Sequence, residues 1–290
     1  MHLLPSMSSL YPAPLTSLTS APGASQTSAY FAEAADGQAL FIKHDPSESG
    51  ILLAEADGLQ ALAMTQSIRI PRVFSAQKAW LVMEAIIREP AGNLFWQRLA
   101  EGLVSLHHSR GALGWNKNNF IGRMPQQNLW PTHDRNWADF FWQKRLLPQI
   151  EELRRKGIWT DREDGKWKLL KNRVFQALKT QDEEPRLVHG DLWSGNILCA
   201  VGQEPVLIDP AVYYGQRETD LAMSELFGGF SPLFYRHYRS LYPLAEGYEQ
   251  RREIYNFYHK LNHANLYGSG FIWDVQKTLM DLCQDSSTPH

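Results

Sequence analysis

The chain has 290 residues, 43% hydrophobic and 12% aromatic, which is ample for a packed core and excludes a disordered polypeptide. Its 29 Lys and Arg against 31 Asp and Glu give a formal net charge of −2, so no basic field points to a nucleic acid partner. The two cysteines, Cys199 and Cys283, supply neither a disulfide framework nor a paired-cysteine metal site, and a reducing, cytoplasmic setting is expected. Residues 1–42 contain no Lys or Arg and are interrupted by Pro5, Pro12 and Pro14, so no secretory leader is expected. No stretch approaches the roughly 18 apolar residues of a membrane span.

In chain order, residues 28–34 and 38–43 predict two strands joined through Asp36-Gly37, a common hairpin signal. Just upstream, residues 20–28 are small and polar, the composition of a loop whose backbone amides could drape over phosphates, with Gly23 its one glycine. Lys43 ends the second strand. A helix is expected from about Gly50, with Ile51, Leu52, Leu59 and Leu62 on its apolar face and Glu55 twelve residues after Lys43. A strand-end lysine held by a glutamate of the next helix is the pair that kinases place on the nucleotide phosphates.

Further strands are expected over 67–70 with 73–74, and over 80–86. Pro90-Ala91-Gly92 breaks the chain, and Phe95, Leu99, Leu103 and Leu106 then recur at helical spacing. The switch predicts a β-rich lobe over 1–84, a mainly helical lobe over 85–290, and a hinge at 83–86. An adenine ring would find its partners there on the backbone of Glu84, Ala85 and Ile86. Residues 114–122 and 125–130 read as loop from their Asn and Gly content. Trp137, Phe140, Phe141 and Trp142 open a long helix through Arg145 to Ile150, with the aromatics assigned first to packing and second to a sugar site. Another helix is expected over 167–179, after a solvated turn at 161–166.

The most informative stretch is Leu187-Val188-His189-Gly190-Asp191-Leu192-Trp193-Ser194-Gly195-Asn196, followed by Asp209 in Val206-Leu207-Ile208-Asp209-Pro210. Phosphoryl transfer needs one acid to take or orient a hydroxyl proton, with an amide and a second acid as hard oxygen ligands for Mg²⁺. Asp191, then Asn196 five positions on, then Asp209 has the spacing of a kinase catalytic loop and its metal-binding acid. A hairpin about Gly202 would carry Asn196 at one end and Asp209 at the other, bringing both to one edge. Residues 217–222 start a helix that Thr219 or Asp220 could cap. Two or three helices complete residues 233–283. The polar run 261–268 is assigned to packing ahead of support for the catalytic loop.

Taken together, these residues resemble the fructosamine kinase, or ketosamine-3-kinase, family. The matching segments include Phe41-Ile42-Lys43, Glu55 with Gly58-Leu59, Asn119-Phe120-Ile121-Gly122 and Pro125-Gln126-Gln127-Asn128. Val188-His189-Gly190-Asp191-Leu192-Trp193-Ser194-Gly195-Asn196, Leu207-Ile208-Asp209-Pro210-Ala211 and His263-Ala264-Asn265-Leu266-Tyr267-Gly268 continue the match. Aminoglycoside and choline kinases share the His-Gly-Asp and the later Asp; the Leu-Trp-Ser-Gly before Asn196 is the ketosamine feature. The phosphate loop departs from the family, with Pro22-Gly23-Ala24-Ser25 where paired glycines are usual.

The resemblance implies an α+β, protein-kinase-like bilobal fold: a small antiparallel N-lobe with one helix, a hinge and a larger helical C-lobe. It implies an enzyme that uses ATP and Mg²⁺ to phosphorylate the 3-hydroxyl of a ketosamine, free or protein-bound, as a deglycation step. Asp191 would act on the hydroxyl proton, Asn196 and Asp209 would hold Mg²⁺, and Lys43 with Glu55 would hold the phosphates. Trp193 would offer a face to the sugar. His189 is also placed in that site, although packing within the loop is its first assignment. The alternatives are a kinase of another small alcohol, aminoglycoside-like or choline-like, and a non-catalytic pseudokinase that binds a partner. Neither a nucleic acid nor a membrane is expected as partner.

Overall fold

The hairpin legible at Asp36-Gly37 is the middle of a five-stranded sheet. The computed structural model describes residues 10–21, 28–159, 164–179 and 184–284. Strands β1 (Leu15–Ser20), β2 (Ser28–Ala34), β3 (Ala39–His44), β4 (Val73–Ala76) and β5 (Trp80–Glu84) pair antiparallel in the order β1-β2-β3-β5-β4. Gly37 turns the β2-β3 hairpin at φ 83°, a conformation glycine adopts without a Cβ penalty. Successive strand residues face opposite sides, so Leu40 and Ile42 join Ala32, Ala34 and Val82 in one cluster. Phe41 packs on the other face with Leu81, Met83 and the apolar stripe of helix α1 (Ile51–Met64). Lys43, two residues on from Phe41, shares that face.

Two expectations here change. Strand β1 was not legible, because Leu-Thr-Ser-Leu-Thr-Ser is polar and its half-buried residues recur every third position around a bulge at Leu15/Ser17. Residues 67–70 are not a ladder strand: Pro71 follows them, and only Arg69 bridges, to Val206.

By contacts the chain falls into two compact units. The first takes residues up to Leu106 with Gly195–Ala211 and Ser231–Tyr238; the second takes His107–Ser194, Val212–Phe230 and the residues from Arg239 on. Unit 1 thus runs past residue 84. Helix α2 (Asn93–Leu106) packs on β10 (Glu204–Leu207), and β10 pairs with β9 (Ile197–Ala200).

Unit 2 is mainly helical. The helix read from Trp137 to Ile150 is α3 (Trp137–Phe141), a π turn (Trp142–Leu146) and α4 (Leu147–Arg155) end to end. Pro148 has no N–H to continue an α ladder, which accounts for the widened turn before it. Trp137, Phe140, Phe141 and Trp142 are all buried, as packing residues should be. Residues 114–130 are more than loop, since β6 (Asn119–Ile121) and β7 (Met124–Gln126) form a short hairpin. Its amides are interior. Asn119 donates to the Val212 carbonyl and accepts from Gln126 and Asn128, while buried Arg145 donates to Asn128 and lies 4.0 Å over the Tyr213 ring. These groups satisfy one another, which keeps so polar a set inside at tolerable cost. Beyond α5 (Asp164–Leu178), β8 (Arg186–Val188) pairs with β11 (Tyr213–Gly215). Helices α6 (Glu218–Leu226), α7 (Pro232–Leu241), α8 (Tyr248–Tyr267) and α9 (Ile272–Cys283) follow, with α8 packed against α4, α6 and α9.

Candidate active site

In unit 1 the Lys43 ammonium donates to Glu55 Oε1 at 2.8 Å and to Asp209 Oδ1 at 2.5 Å. The α1 periodicity explains the first contact: Leu52, Glu55, Leu59 and Leu62 are among its buried residues, at steps of three and four, so Glu55 lies within the apolar stripe that covers Lys43's face of the sheet. Burial works against the lysine's charge, but Asp209 and Glu55 outweigh it and hold the amine above its usual range. Burial pushes the Glu55 carboxyl the other way, up to about 7, against the pull of Lys43 and with help from Asp209. Two carboxylates share one cation, and the interior one holds its charge less firmly.

Asp209 follows β10 with φ 54°, a left-handed conformation that Asp tolerates better than most residues. The Ile208 amide donates to the Asn196 carbonyl at 3.1 Å, extending the β9-β10 ladder by one rung. Asn196, on the 3₁₀ turn Ser194–Asn196, and Asp209 therefore flank the same end of one hairpin. An amide oxygen and a carboxylate are the hard donors a small divalent cation takes, together with phosphate oxygens and water. Among the described residues no three His, Cys, Asp or Glu side chains converge as a closed metal cage. Gly58, one turn beyond Glu55 on α1, explains how the helix comes so near. A Cβ there would stand 3.0 Å from Pro210 Cγ.

The same unit holds a pocket of about 370 Å³, lined by Phe31, Phe41, Pro71, Met83, Ile86, Leu198 and Ile208 with Glu84, Arg88 and Asp209. Of the hinge amides, Glu84 N–H donates to the Arg72 carbonyl at 2.8 Å and Ala85 N–H to the Ala39 carbonyl at 3.1 Å. A ligand in the pocket therefore finds those two donors already engaged, which leaves Ile86 as the amide of the three to offer. Gly23, the glycine of the expected phosphate loop, lies outside the described residues.

In unit 2, β8 delivers His189, Gly190 and Asp191. Gly190 turns the chain at φ 82°. Asp220 of α6 accepts the His189 amide at 2.7 Å through Oδ2 and the Gly190 amide at 2.9 Å through Oδ1, and His107 Nε2 lies 3.2 Å from Oδ2. Burial alone would raise the Asp220 carboxyl, but His107 and the loop groups outweigh it and hold it below the usual range. Asp220 therefore does not cap α6, as its position near the helix start suggested. It braces the loop ahead of Asp191, while the Thr219 hydroxyl turns back to the Gln216 carbonyl. His189 is fully buried, and its Nδ1 accepts the Asp191 amide at 3.3 Å. Asp191 is part-exposed, and its carbonyl accepts the Trp193 amide at 3.1 Å. Trp193 is half-exposed and meets Phe227 edge-on.

The predicted residues thus collect in two groups: Lys43, Glu55, Asp209 and Asn196 in unit 1, and His189, Asp191 and Trp193 in unit 2. Asp220, His107 and Gly58 were missed as site residues. The run Arg217-Glu218-Thr219-Asp220 reads as an exposed helix start, and no sequence pattern announces that all four are buried.

Comparison with known proteins follows the same lines. A model of the fructosamine kinase family matches residues 8–285. A "probable ketoamine kinase" of Synechocystis sp. is 42% identical over 250 residues, 83% of this chain and 82% of its own length. The chloroplastic protein-ribulosamine 3-kinase of Arabidopsis thaliana is 36% identical over 245 residues, 81% of this chain and 73% of its own. Among solved structures, a candidate fructosamine-3-kinase from Haemophilus somnus 129PT superposes with a TM-score of 0.85 at 27% identity, covering 97% of each chain. An ADP-bound aminoglycoside phosphotransferase shares the fold at TM-score 0.66 and 15% identity, over 98% of this chain and 99% of its own. The molecule is therefore a phosphotransferase with a protein-kinase-like fold. Within that class, the chain belongs to the fructosamine kinase family. Among the described residues, no helix is long and apolar enough to cross a membrane.

Proposed function

We propose that this chain phosphorylates the 3-hydroxyl of ketosamines with Mg·ATP, the step that destabilises the adduct and frees the amine, and that it works in the cytoplasm. The observation that carries the reading is the Lys43 ammonium held between Glu55 and Asp209. That arrangement fixes a cation beside the metal-ligand candidate, where phosphate oxygens need one. Adenine fits the apolar pocket under Met83 and Ile86, with the Ile86 amide as its donor. Asn196 and Asp209 are suited to hold Mg²⁺, which when bound would offset charge on the phosphate oxygens. Asp191, on a loop braced by Asp220, orients the sugar hydroxyl and receives its proton. Trp193 gives the sugar an apolar face. His189 serves the loop from inside, through the Asp191 amide. Lobes over 1–84 and 85–290 remain our functional division of the chain.

The test is direct. Asp191→Asn should lower kcat by roughly 10²–10⁴-fold and leave the nucleotide dissociation constant within about twofold of wild type. Near-wild-type turnover would overturn the assignment. Phosphate transfer to a panel of ketoamines, an aminoglycoside and choline, with the product's phosphate located, separates the substrate classes. A thermal shift with Mg·ATP answers the binding-module alternative.

A further inference from the structure

Two walls of the unit 1 pocket come from distant stretches of chain. Met83, Glu84 and Ile86 stand on β5 and just after it, whereas Leu198 stands on β9 and Ile208 just after β10. Nothing in the covalent chain sets the gap between them. Cross-links away from the pocket do, and the first is at the turn of the β9-β10 hairpin. Gln203 sits there at φ 59°, a conformation in which glycine would be the ordinary residue. Its side chain accounts for the exception. Nε2 donates to Glu89 Oε1 at 2.6 Å and to the Pro90 carbonyl at 2.9 Å, and Oε1 accepts the Gly92 amide at 2.6 Å. The Gln203 amide adds a bond to Glu89 Oε1 at 2.8 Å, across 114 positions of sequence. These bonds hold the Glu89 carboxyl below its usual range, so the acceptor stays ionised at neutral pH. The Glu89 amide in turn donates to the Cys199 carbonyl at 2.9 Å.

Arg69 makes the second tie. One arm of its guanidinium pairs with Glu84 and the other with Glu204, while its carbonyl accepts the Leu207 amide at 3.1 Å. Residues 67–70, which form no ladder strand, thus serve as a strut between β5 and β10. Of the groups in the two ties, Glu84 alone lines the pocket. The others can act on a ligand only through the backbone they fix. A flat ring between two walls gains dispersion from both only at contact distance, and an added gap of an ångström forfeits much of it. Where the walls must first be drawn together, part of the binding energy goes into closing them.

Resting on the reading of this pocket as the adenine site, we propose that Gln203, Glu89 and Arg69 are positioning residues for the nucleotide. They fasten the chain after β5 to the β9-β10 hairpin and hold the base slot at its bound width before a ligand arrives. The same hairpin carries Asn196 and Asp209 at its other end, so slot and metal-ligand candidates are preset as one piece.

Adenosine is the probe, since it has neither phosphate nor a need for metal. Its dissociation constant is measured by calorimetry on the full chain, beside steady-state kinetics with Mg·ATP. Gln203→Ala and Arg69→Met should each weaken adenosine about fivefold and raise KM for ATP by the same factor. Both kcat and the ketosamine KM should stay within about twofold of wild type. Gln203→Glu, which sets two carboxylates against each other, should weaken adenosine further. Adding Glu89→Gln to it exchanges donor and acceptor, and should recover most of the affinity. Partial unfolding would lower the number of binding sites in the titration, whereas a loosened slot lowers affinity at full occupancy. Unchanged adenosine affinity in Gln203→Ala and Arg69→Met, or an exchange that restores nothing, would overturn the positioning role and leave the adenine reading standing. Failure of wild type to bind adenosine would overturn both.

Discussion

The amide of His189 donates to Asp220 across 31 positions of sequence, at 2.7 Å, and the Gly190 amide reaches the other oxygen of the same carboxylate. One buried side chain thus fixes the backbone immediately before Asp191, and His107 braces that side chain from behind. Replacing Asp220 with Asn keeps its shape but turns an amide NH₂ toward one of the two donors. A buried donor left without an acceptor costs about 1–3 kcal/mol, so the urea midpoint of Asp220→Asn should fall accordingly. If the brace also positions Asp191, kcat should drop about 10²-fold with nucleotide affinity unchanged. A lower midpoint with wild-type kcat would make Asp220 a stability residue only.

Gly58 sets how near the Glu55 helix approaches Pro210, the residue after Asp209. Alanine there gains about 1 kcal/mol in helix propensity, which the 3.0 Å approach to a ring carbon largely cancels, so Gly58→Ala should be close to neutral. Valine adds two methyls with nowhere to go and should cost about 1–3 kcal/mol. Its displacement of α1 should also raise the nucleotide KM. Denaturation and KM measured on both variants check the pair, and equal effects for Ala and Val would show that the helix can simply move aside.

Legibility in the sequence tracked how local the cause was. Lys43 and Glu55 were readable because each sits on a pattern, alternation in the strand and a stripe on the helix, that fixes which way it faces. Asn196 and Asp209 were readable because a hairpin about Gly202 forces its two ends together. Asp220 was not, since its purpose depends on a loop 30 residues away and its neighbours look like an ordinary helix start. Strand β1 escaped because an edge strand needs little apolar alternation, and residues 67–70 misled because Ile-Arg-Ile alternates as a strand does while Pro71 prevents a ladder. Asn119, Gln126 and Asn128 looked like loop because their burial depends on Arg145, which donates to Asn128, and on the Tyr258 hydroxyl, which donates to Gln126, and no spacing records that.

Lys43→Met tests the shared cation. Breaking a buried pair by removing one partner ordinarily costs about 3–5 kcal/mol. Here Glu55, already pushed up to about 7 by burial, should take a proton and escape much of that cost. Its folded pKa in the variant should rise further above the unfolded value. The extra proton is then bound by the native state in that window, and stability falls as pH rises through it. The destabilisation of Lys43→Met relative to wild type should therefore be larger at pH 8 than at pH 6, while kcat/KM falls about 10²–10³-fold at either pH. A pH-independent difference would mean that Glu55 stays ionised without its partner.

His259 should contribute to the acid limb of the stability curve, beside buried carboxylates such as Asp220 that are held below their usual range. It is buried on α8, its Nδ1 has no partner among the described residues, and burial, with His263 beside it, lowers its pKa to about 3. In the unfolded chain the same imidazole titrates near 6.5, so below that pH the unfolded state binds a proton that the native state refuses. Stability from this group is complete above about pH 6.5 and is lost as pH falls toward 3, amounting to about 2 kcal/mol at pH 5. His263, also lowered by burial, adds in the same direction. Urea unfolding of wild type and His259→Gln at pH 7 and pH 5 isolates the effect. The variant should be the less stable protein at pH 7, having lost a fitted ring, and should lose about 2 kcal/mol less than wild type between the two pH values. Equal losses would show that His259 gains its proton inside the fold, with the helix opening to admit water.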